Sequence, residues 1–426
     1  MAERAPMSGA DARRLHPETI TVGHGYDPAS ASGAAKPPLY LTSTFVYRSA
    51  QHAKDAHRIF FEGPSQGDEA SATHIYARLG HPNLDMVERR LAALDGAEDA
   101  AGFASGMAAI STIFLAHLRP GDVVLQSLPI YGGVDALLGR VLAEFGVKAF
   151  HFADGLDGAA IRRAADQAAA AGPVRLIWLE TPANPTAAVV DIALVVEVAS
   201  ELEQRQGFRP LIGVDNTFLG PFLQSPLALG ADLCMTSLTK YCGGHSDLLA
   251  GGVSGAAALI SPLKTLRTWL GNPMDAHTAW LLLRSLETLH LRTARACETA
   301  LAIGRFLQAH PKVDAVTFIG LAEPGSREAG LMGRQARGPG STFSFRIKGG
   351  EPAAFRLLDA LKLLRLAVSL GGSETLICHP ASTTHYPIAR ERLEEAGVTE
   401  STLRLSVGLE HPDDLIADLA QALDAV

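Results

Sequence analysis

A mostly parallel α/β sheet covered by helices on both faces, followed by a smaller α+β domain, is the fold class that the sequence predicts. Three observations carry it. Six short apolar runs between Ala97 and Thr236 are separated by segments of helix length, and strands so spaced form parallel sheets whose crossovers cover both faces. After Leu259 this alternation gives way to a long helical stretch and then to scattered short strands. At 426 residues the chain also exceeds what one simple core organises, so two or three domains are expected.

Residues 1 to about 36 are rich in Ala, Gly, Ser, Pro and charge and read as a flexible arm or extended segment. PPLYLTSTFVYRSA reads as extended chain, and FFEGPSQGDEASATH as a polar loop spanning 60–74. Leu84, Val87, Leu91 and Leu94 recur at helical spacing between Pro82 and Asp95, with Pro82 suited to the first turn. The expected strands are then Ala97–Phe103, Asp122–Gln126, Lys148–Phe152, Val174–Glu180, Leu211–Asp215 and Leu233–Thr236. Helices are expected at Ala108–His117, opened by Ser105-Gly106-Met107, and at Leu137–Phe145. Beyond them, a helical region from Pro273 to Gln308 carries Trp280, Leu283, Leu286, Leu289 and Leu291. Strands Val313–Phe318, Ser341–Ile347, Leu366–Ser369 and Leu403–Val407 follow, with helices Ala353–Leu361 and Asp413–Leu423.

Composition narrows the function. A net charge of −8 with no basic stripe argues against a nucleic-acid partner. Cys234, Cys242, Cys297 and Cys378 lack the paired spacing of a zinc site or redox dithiol, so they read as reduced thiols of a cytoplasmic protein without a metal. No apolar run reaches about 18 residues without a polar break, and the polar N-terminus has no h-region, so neither a membrane span nor a secretory leader is expected.

Chemistry concentrates between Gly213 and Val253. Asp215 ends one apolar run, and Lys240 follows amid Ser237, Thr239, Tyr241 and a glycine pair. An electron-sink cofactor such as pyridoxal phosphate needs a lysine to attach it, an acid to keep its pyridine nitrogen protonated, and hydroxyls for its phosphate. Alone, Asp215 reads as a turn or cap residue and Lys240 as a surface lysine; their spacing and strand-end setting favour the site. Ser105-Gly106-Met107 before an apolar helix supplies the backbone donors a phosphate needs. Tyr131, between a strand and a helix, can stack on a planar ring or be an ordinary core tyrosine.

A wider set of motifs resembles one family. Tyr76-Ala-Arg78, Ser105-Gly106-Met107, Tyr131-Gly132-Gly133, Glu180-Thr-Pro-Ala-Asn184-Pro-Thr, Val214-Asp215-Asn216-Thr217, Ser237-Leu-Thr239-Lys240-Tyr, Ser369-Leu-Gly, His379-Pro-Ala-Ser-Thr-Thr-His385 and Leu403-Arg404-Leu-Ser-Val-Gly-Leu-Glu occur in that order. Together, from about residue 40 to 426, they are similar to the Cys/Met-metabolism, or trans-sulfuration, family of pyridoxal 5'-phosphate enzymes. The resemblance implies the fold type I transferase architecture, with a seven-stranded sheet. It divides the chain into an arm at 1–75 that contacts a neighbouring subunit, a cofactor domain at 76–272 and a C-terminal domain at 273–426. It further implies that Lys240 holds the cofactor covalently and then shuttles protons. Asp215 would pair with the ring nitrogen and Asn184 with the ring's 3-oxygen. Ser105, Gly106, Met107, Ser237 and Thr239 would bind phosphate, joined by Tyr76 and Arg78 of a neighbouring subunit in a homotetramer built as a dimer of dimers. Tyr131 would stack on the ring and assist proton transfer. Arg404, with Ser369, would hold the carboxylate of a small amino-acid substrate through its planar fork.

The implied reaction is γ-elimination on a homoserine-type amino acid. The alternatives are γ-replacement, as in cystathionine γ-synthase or O-acylhomoserine sulfhydrylase, cystathionine or methionine γ-lyase activity, and a non-catalytic binding protein on the same scaffold. A nicotinamide dehydrogenase is disfavoured, because no Gly-x-Gly-x-x-Gly follows an early strand. Departures from the family pattern bear on substrate: Gly133 stands where methionine γ-lyases have cysteine, Val134-Asp135 follows it, and Val368 precedes the Ser-Leu-Gly turn. Asp135 and the acidic 60–73 stretch, with Glu62, Asp68 and Glu69, read first as solvated loop charges, and as the sharper alternative suggest a cationic γ-group such as the guanidinooxy group of canavanine.

Overall fold

The computed structural model describes residues 15–63, 73–386 and 388–426. Its centre is a seven-stranded sheet of β1 (Asp99–Phe103), β2 (Val123–Ser127), β3 (Lys148–Phe152), β4 (Val174–Glu180), β5 (Leu211–Asp215), β6 (Leu233–Thr236) and β7 (Gly251–Gly255). The spatial order is β1-β7-β6-β5-β4-β2-β3, and every neighbouring pair is parallel except the two that involve β7. Alternate residues of the parallel strands face opposite layers. Val124, Leu176 and Trp178 pack under helices Gly106–His117 and Ala257–Leu270, while Val123, Leu125, Ile177 and Leu179 pack under Gly158–Ala171 and Ile192–Gln206. This double cover is why those strands read as continuous apolar runs. Trp178 is fully buried, its ring edge-on to Phe114 with centroids 5.2 Å apart.

A second sheet holds β8 (Val313–Thr317), β9 (Thr342–Ile347), β10 (Arg365–Leu366), β11 (Leu376–Cys378) and β12 (Thr402–Ser406), ordered β10-β11-β12-β9-β8. Leu289–Ala309, Gly350–Ala360 and Pro412–Asp424 pack their apolar stripes onto it through Ile303, Leu307, Leu357, Leu415 and Leu419. Among the described residues, no helix is long and apolar enough to cross a membrane.

Several expectations need correction. β7 has no apolar run because three of its five residues are glycines. A Cβ on Gly251 would collide with the Ser105 carbonyl and one on Gly252 with Leu91, so close packing excludes the side chains that advertise a strand. The 273–308 region is two helices, Ala276–Leu286 and Leu289–Ala309, broken where Arg292 reaches back to the Ser285 and Tyr241 carbonyls at 2.9 and 2.7 Å. Leu137–Phe145 is a π turn followed by a 3-10 turn, preceded by the short helix Gly132–Ala136. The strand expected at Leu366–Ser369 is only Arg365–Leu366, because Ser369 turns the chain with φ of 88°. β11 was not anticipated; its three residues carry too little pattern to read.

The described part of the N-terminal arm, expected to be flexible or extended, includes a helix. Helix Pro17–Gly23 is held by Arg90, which donates to the Thr21 and His24 carbonyls at 2.9 and 3.1 Å. Helix Ala50–Glu62 absorbs the first residues of the expected polar loop, Asp68 and Glu69 lying outside the described residues. Under helix Pro82–Asp95, Glu88 is buried in an ionic cluster, 2.5 Å from Arg267 Nη1 and 3.1 Å from Lys264 Nζ, and accepts the Gly102 amide at 2.9 Å.

Candidate active site

The carboxyl ends of parallel strands are where open α/β sheets hold ligands. There, Glu180 and Asp215 face each other as the last register pair of β4 and β5. Asp215 is 6% exposed and accepts the Thr217 amide at 3.0 Å. The Thr217 hydroxyl in turn accepts the Ser237 amide at 2.8 Å, and Asn216 ties the turn down through the Gly220 and Gln224 carbonyls at 2.9 and 3.0 Å. Among the described residues neither carboxylate has an arginine or lysine ion-pair partner. Burial therefore dominates, pushing the Asp215 carboxyl up to about 6 and the Glu180 carboxyl well above the usual range, the latter helped by Asp215 beside it.

Lys240 lies in the tight connection from β6 to β7, closed by Gly243 N–H to the Leu238 carbonyl at 2.8 Å and Gly244 N–H to the Lys240 carbonyl at 2.7 Å. Its ammonium donates to Ser369 Oγ at 2.8 Å. Burial first, then the charge of Arg404, lowers its pKa to about 8, although Asp215 acts the other way. Ser369 has a left-handed backbone, a conformation costing a non-glycine residue on the order of 1–3 kcal/mol. It presents its hydroxyl to Lys240 while its carbonyl accepts from Arg404 Nη2 at 2.6 Å. Arg404 is 3% exposed on β12, and its Nη1 donates to Asn184 Oδ1 at 2.8 Å. Its Nε is buried without a partner, a donor that an incoming carboxylate would satisfy.

Helix Gly106–His117 begins beside these groups. Its Gly106 and Met107 amides have no intrahelical acceptor, so the helix N-terminus offers anion donors. A Cβ on Gly106 would stand 3.0 Å from Ser237 Oγ, which places the Ser237 hydroxyl beside the start of this helix. Tyr131 closes another side. Its ring lies over Gly133 against Met107, for a Cβ on Gly133 would stand 2.6 Å from Tyr131 Cε1 and 3.1 Å from Met107 Sδ. A phosphorylated pyridine aldehyde suits this donor set: an amine of lowered pKa, a buried unpaired acid, helix-end amides with a hydroxyl, and an exposed aromatic face.

The structure thus gathers Lys240, Asp215, Asn184, Tyr131, Gly106, Met107, Ser237, Ser369 and Arg404. Two hydroxyls expected on the phosphate are used within the chain. Ser105 Oγ caps its own helix by accepting the Ala108 amide at 3.1 Å, and Thr239 Oγ1 pairs with the Ala250 carbonyl and amide at 3.1 and 2.9 Å. Within one chain Arg78 donates to the Thr268 carbonyl at 2.5 Å and stacks 5.9 Å from the half-exposed Tyr76 ring, with no hydrogen bond to the Lys240 cluster among the described residues. Asp135 does not offer a free carboxylate: Arg392 holds it at 2.8 Å. Val134 is buried in the core rather than at the site. Residue-type reasoning overlooked His385, fully buried with its pKa pushed down to about 4 by burial and by Arg404, and the use made of Glu180.

Comparisons agree with this geometry. The family model described as Cys/Met metabolism PLP-dependent enzyme matches residues 18–424. The chain is 39% identical over 411 residues to an L-methionine gamma-lyase of Pseudomonas deceptionensis, covering 96% of this chain and 97% of that one. It is 37% identical over 416 residues to a cystathionine gamma-lyase of Sus scrofa, covering 97% and 95%. The crystal structure of a cystathionine gamma synthase from Xanthomonas oryzae pv. oryzae, in complex with aminoacrylate and cysteine, superposes with a TM-score of 0.84 at 35% identity, covering 96% of this chain and 98% of that one.

Proposed function

Because the chain belongs to the Cys/Met metabolism family of PLP-dependent enzymes, we propose that it is a γ-lyase, eliminating the γ-substituent of a homoserine-type L-amino acid to leave a 2-oxo acid and ammonia. The observation that carries this reading is Lys240 Nζ on Ser369 Oγ, with its pKa lowered to about 8, within one hydrogen-bonded set with Arg404. When bound, pyridoxal phosphate supplies the sink for electrons left by proton removal. Arg404 binds the substrate carboxylate through Nε and the free hydrogens of its fork, fixing the Cα–H bond near Lys240. Lys240, neutral in part near pH 8, takes the α-proton and returns protons, and Ser369 orients the amine between those duties. With the cofactor bound, Asp215 would hold its ring nitrogen in the protonated form and Tyr131 would offer its ring to the cofactor's face.

A second reading, γ-replacement, is favoured by likeness to the cystathionine gamma synthase and by Gly133, which lacks the cysteine of methionine γ-lyases. The narrower idea of a cationic γ-group loses Asp135 to its ion pair with Arg392 and rests on Glu62 together with Asp68 and Glu69, which lie outside the described residues. A panel of γ-substituted homoserines, sulfur amino acids and canavanine, with and without added cysteine or sulfide, tests all three. Release of 2-oxo acid in the absence of a thiol supports the lyase. Product formed only with cysteine or sulfide supports replacement, and turnover of canavanine supports the cationic group. No turnover by wild type, with a visible cofactor band that Lys240→Ala removes, would leave only the binding-protein reading. Tyr76 and Arg78 belong to the same proposal, as phosphate contacts given to a neighbouring subunit of a homotetramer. Mixed oligomers of Arg78→Ala and Lys240→Ala chains then regain activity that neither has alone. The division at residues 76 and 273 and a cytoplasmic setting, consistent with four unpaired cysteines, complete the reading.

A further inference from the structure

One buried carboxylate joins segments that are far apart in the chain. Glu180 Oε2 accepts the Tyr131 amide at 2.7 Å, and its Oε1 accepts the Asn184 amide at 2.7 Å. The series continues without a gap. Asn184 Oδ1 accepts from Arg404 Nη1 at 2.8 Å, Arg404 Nη2 donates to the Ser369 carbonyl at 2.6 Å, and Ser369 Oγ accepts from Lys240 Nζ at 2.8 Å. Glu180 itself is immobilised, 4% exposed at the end of β4, with its amide donating to Ser127 Oγ at 3.1 Å.

We propose that Glu180 is a positioning residue that sets Tyr131 and Asn184, and through Asn184 the guanidinium of Arg404, as one rigid unit. It acts through these neighbours and accepts from both amides with its own two oxygens. The need for such an anchor is local. Tyr131 precedes a five-residue helix that opens with two glycines, and its side chain is partly exposed, so the backbone amide is the handle by which the aromatic can be fixed. Hydrogen bonds to a carboxylate are shorter and stronger than those between neutral groups, and one acceptor shared by two segments removes their freedom relative to each other. An amide at this position cannot substitute. It offers one acceptor and one donor, so it satisfies one N–H and opposes the other. This role also explains why a carboxylate is buried beside Asp215 without an ion-pair partner among the described residues.

The inference rests on Arg404 as holder of the substrate carboxylate, and the test separates the two. Glycine, which has the carboxylate and amine but no γ-substituent, is titrated into the cofactor-loaded protein and followed by visible absorbance. Arg404→Ala should weaken glycine at least about 100-fold, and an unchanged affinity overturns the reading of Arg404 and this proposal with it. Glu180→Gln should weaken glycine about tenfold, lower kcat about tenfold and reduce the visible circular dichroism of the bound cofactor by about half, with Tm within about 5 °C of wild type. Ser127→Ala, which removes the neighbouring bond to the Glu180 amide, is the control and should leave glycine affinity within about twofold. If Glu180→Gln keeps wild-type glycine affinity and dichroism while Arg404→Ala loses them, the positioning role is wrong. Equal losses in Ser127→Ala and Glu180→Gln overturn it as well, by making the effect one of general packing. Should Glu180→Gln not fold, Glu180→Asp, which keeps the charge but withdraws the oxygens by one methylene, gives the same decision: about a threefold loss supports the role, and none overturns it.

Discussion

Glu88, in helix Pro82–Asp95, and the Glu180–Asp215 pair, at the ends of β4 and β5, are buried carboxylates with opposite electrostatics. Burial alone would raise the Glu88 carboxyl, but Lys264 and then Arg267 bring it down to about 2. At the other set, burial is unopposed by any ion pair, and Asp215 and Glu180 are both pushed up. Glu88 arrives with its own cations and is satisfied when the chain folds, whereas a raised carboxyl alone does not mark a site, since the buried Asp95 carboxyl is also pushed up, to about 7. On the proposed reading, the Asp215 carboxylate is left for a cation from outside, such as the protonated ring nitrogen of pyridoxal phosphate.

The contrast breaks first at Asp215. Asp215→Asn should lower kcat by about 10²- to 10³-fold while leaving the cofactor-free protein as stable as wild type or more so, because a buried unpaired charge is gone. Unfolding of that variant in urea would show the carboxylate to be scaffold after all. Glu88→Gln should do the reverse, costing about 3–5 kcal/mol in urea titrations by leaving Lys264 and Arg267 uncompensated, with the visible cofactor band retained.

Acid sharpens the comparison, since the two sets change stability with opposite sign. The Glu88 carboxyl is lowered from 4.5 to about 2, so its contribution of about 3 kcal/mol is complete above pH 4.5 and disappears as pH falls towards 2. The Asp215 carboxyl is raised from 3.8 to about 6, so the native state binds that proton more tightly than the unfolded chain does. The Asp215 contribution to the stability of the cofactor-free protein, read as the difference between wild type and Asp215→Asn, should therefore fall by about 2–3 kcal/mol as pH rises from about 4 to 6, and added cofactor should suppress that fall. Thermal scans from about pH 2 to 6, with and without pyridoxal phosphate, check both signs. The smallest effect belongs to Asp135. Its pair with Arg392 is partly solvated, with side chains 16% and 35% exposed, so Asp135→Ala should cost about 0.2–1 kcal/mol and leave kcat unchanged. A selective loss of turnover on canavanine in that variant would restore Asp135 to the substrate.

The sequence was most readable where one physical signal dominated. Lys148–Phe152, Val174–Glu180, Leu211–Asp215 and Leu233–Thr236 have the bounds expected of them, because burial within the sheet, mostly on both faces, makes a strand an apolar run. β7 was invisible for the complementary reason, its close contacts having replaced side chains with glycine. Lys240, Asp215 and Arg404 could be singled out because few residue types perform their chemistry. Asp135 misled because a charge in a sequence does not state its partner, and Arg392 is about 250 residues away along the chain. The use made of Glu180 depends on two backbone amides, and backbone groups leave no trace in residue types.

The placement of β7 also bears on how the chain is made. β1 lies at the edge of the sheet, and among the described residues its one strand neighbour is β7, about 150 residues later. A chain emerging from the ribosome therefore carries its first strand unpaired through synthesis of the next five. Gly251, whose lack of a Cβ leaves room for the Ser105 carbonyl at the start of helix Gly106–His117, arrives together with that missing partner. Closure of the sheet and completion of the helix-end cradle are one late event, so nascent chains stopped before Gly251 should neither protect β1 from proteases nor retain pyridoxal phosphate.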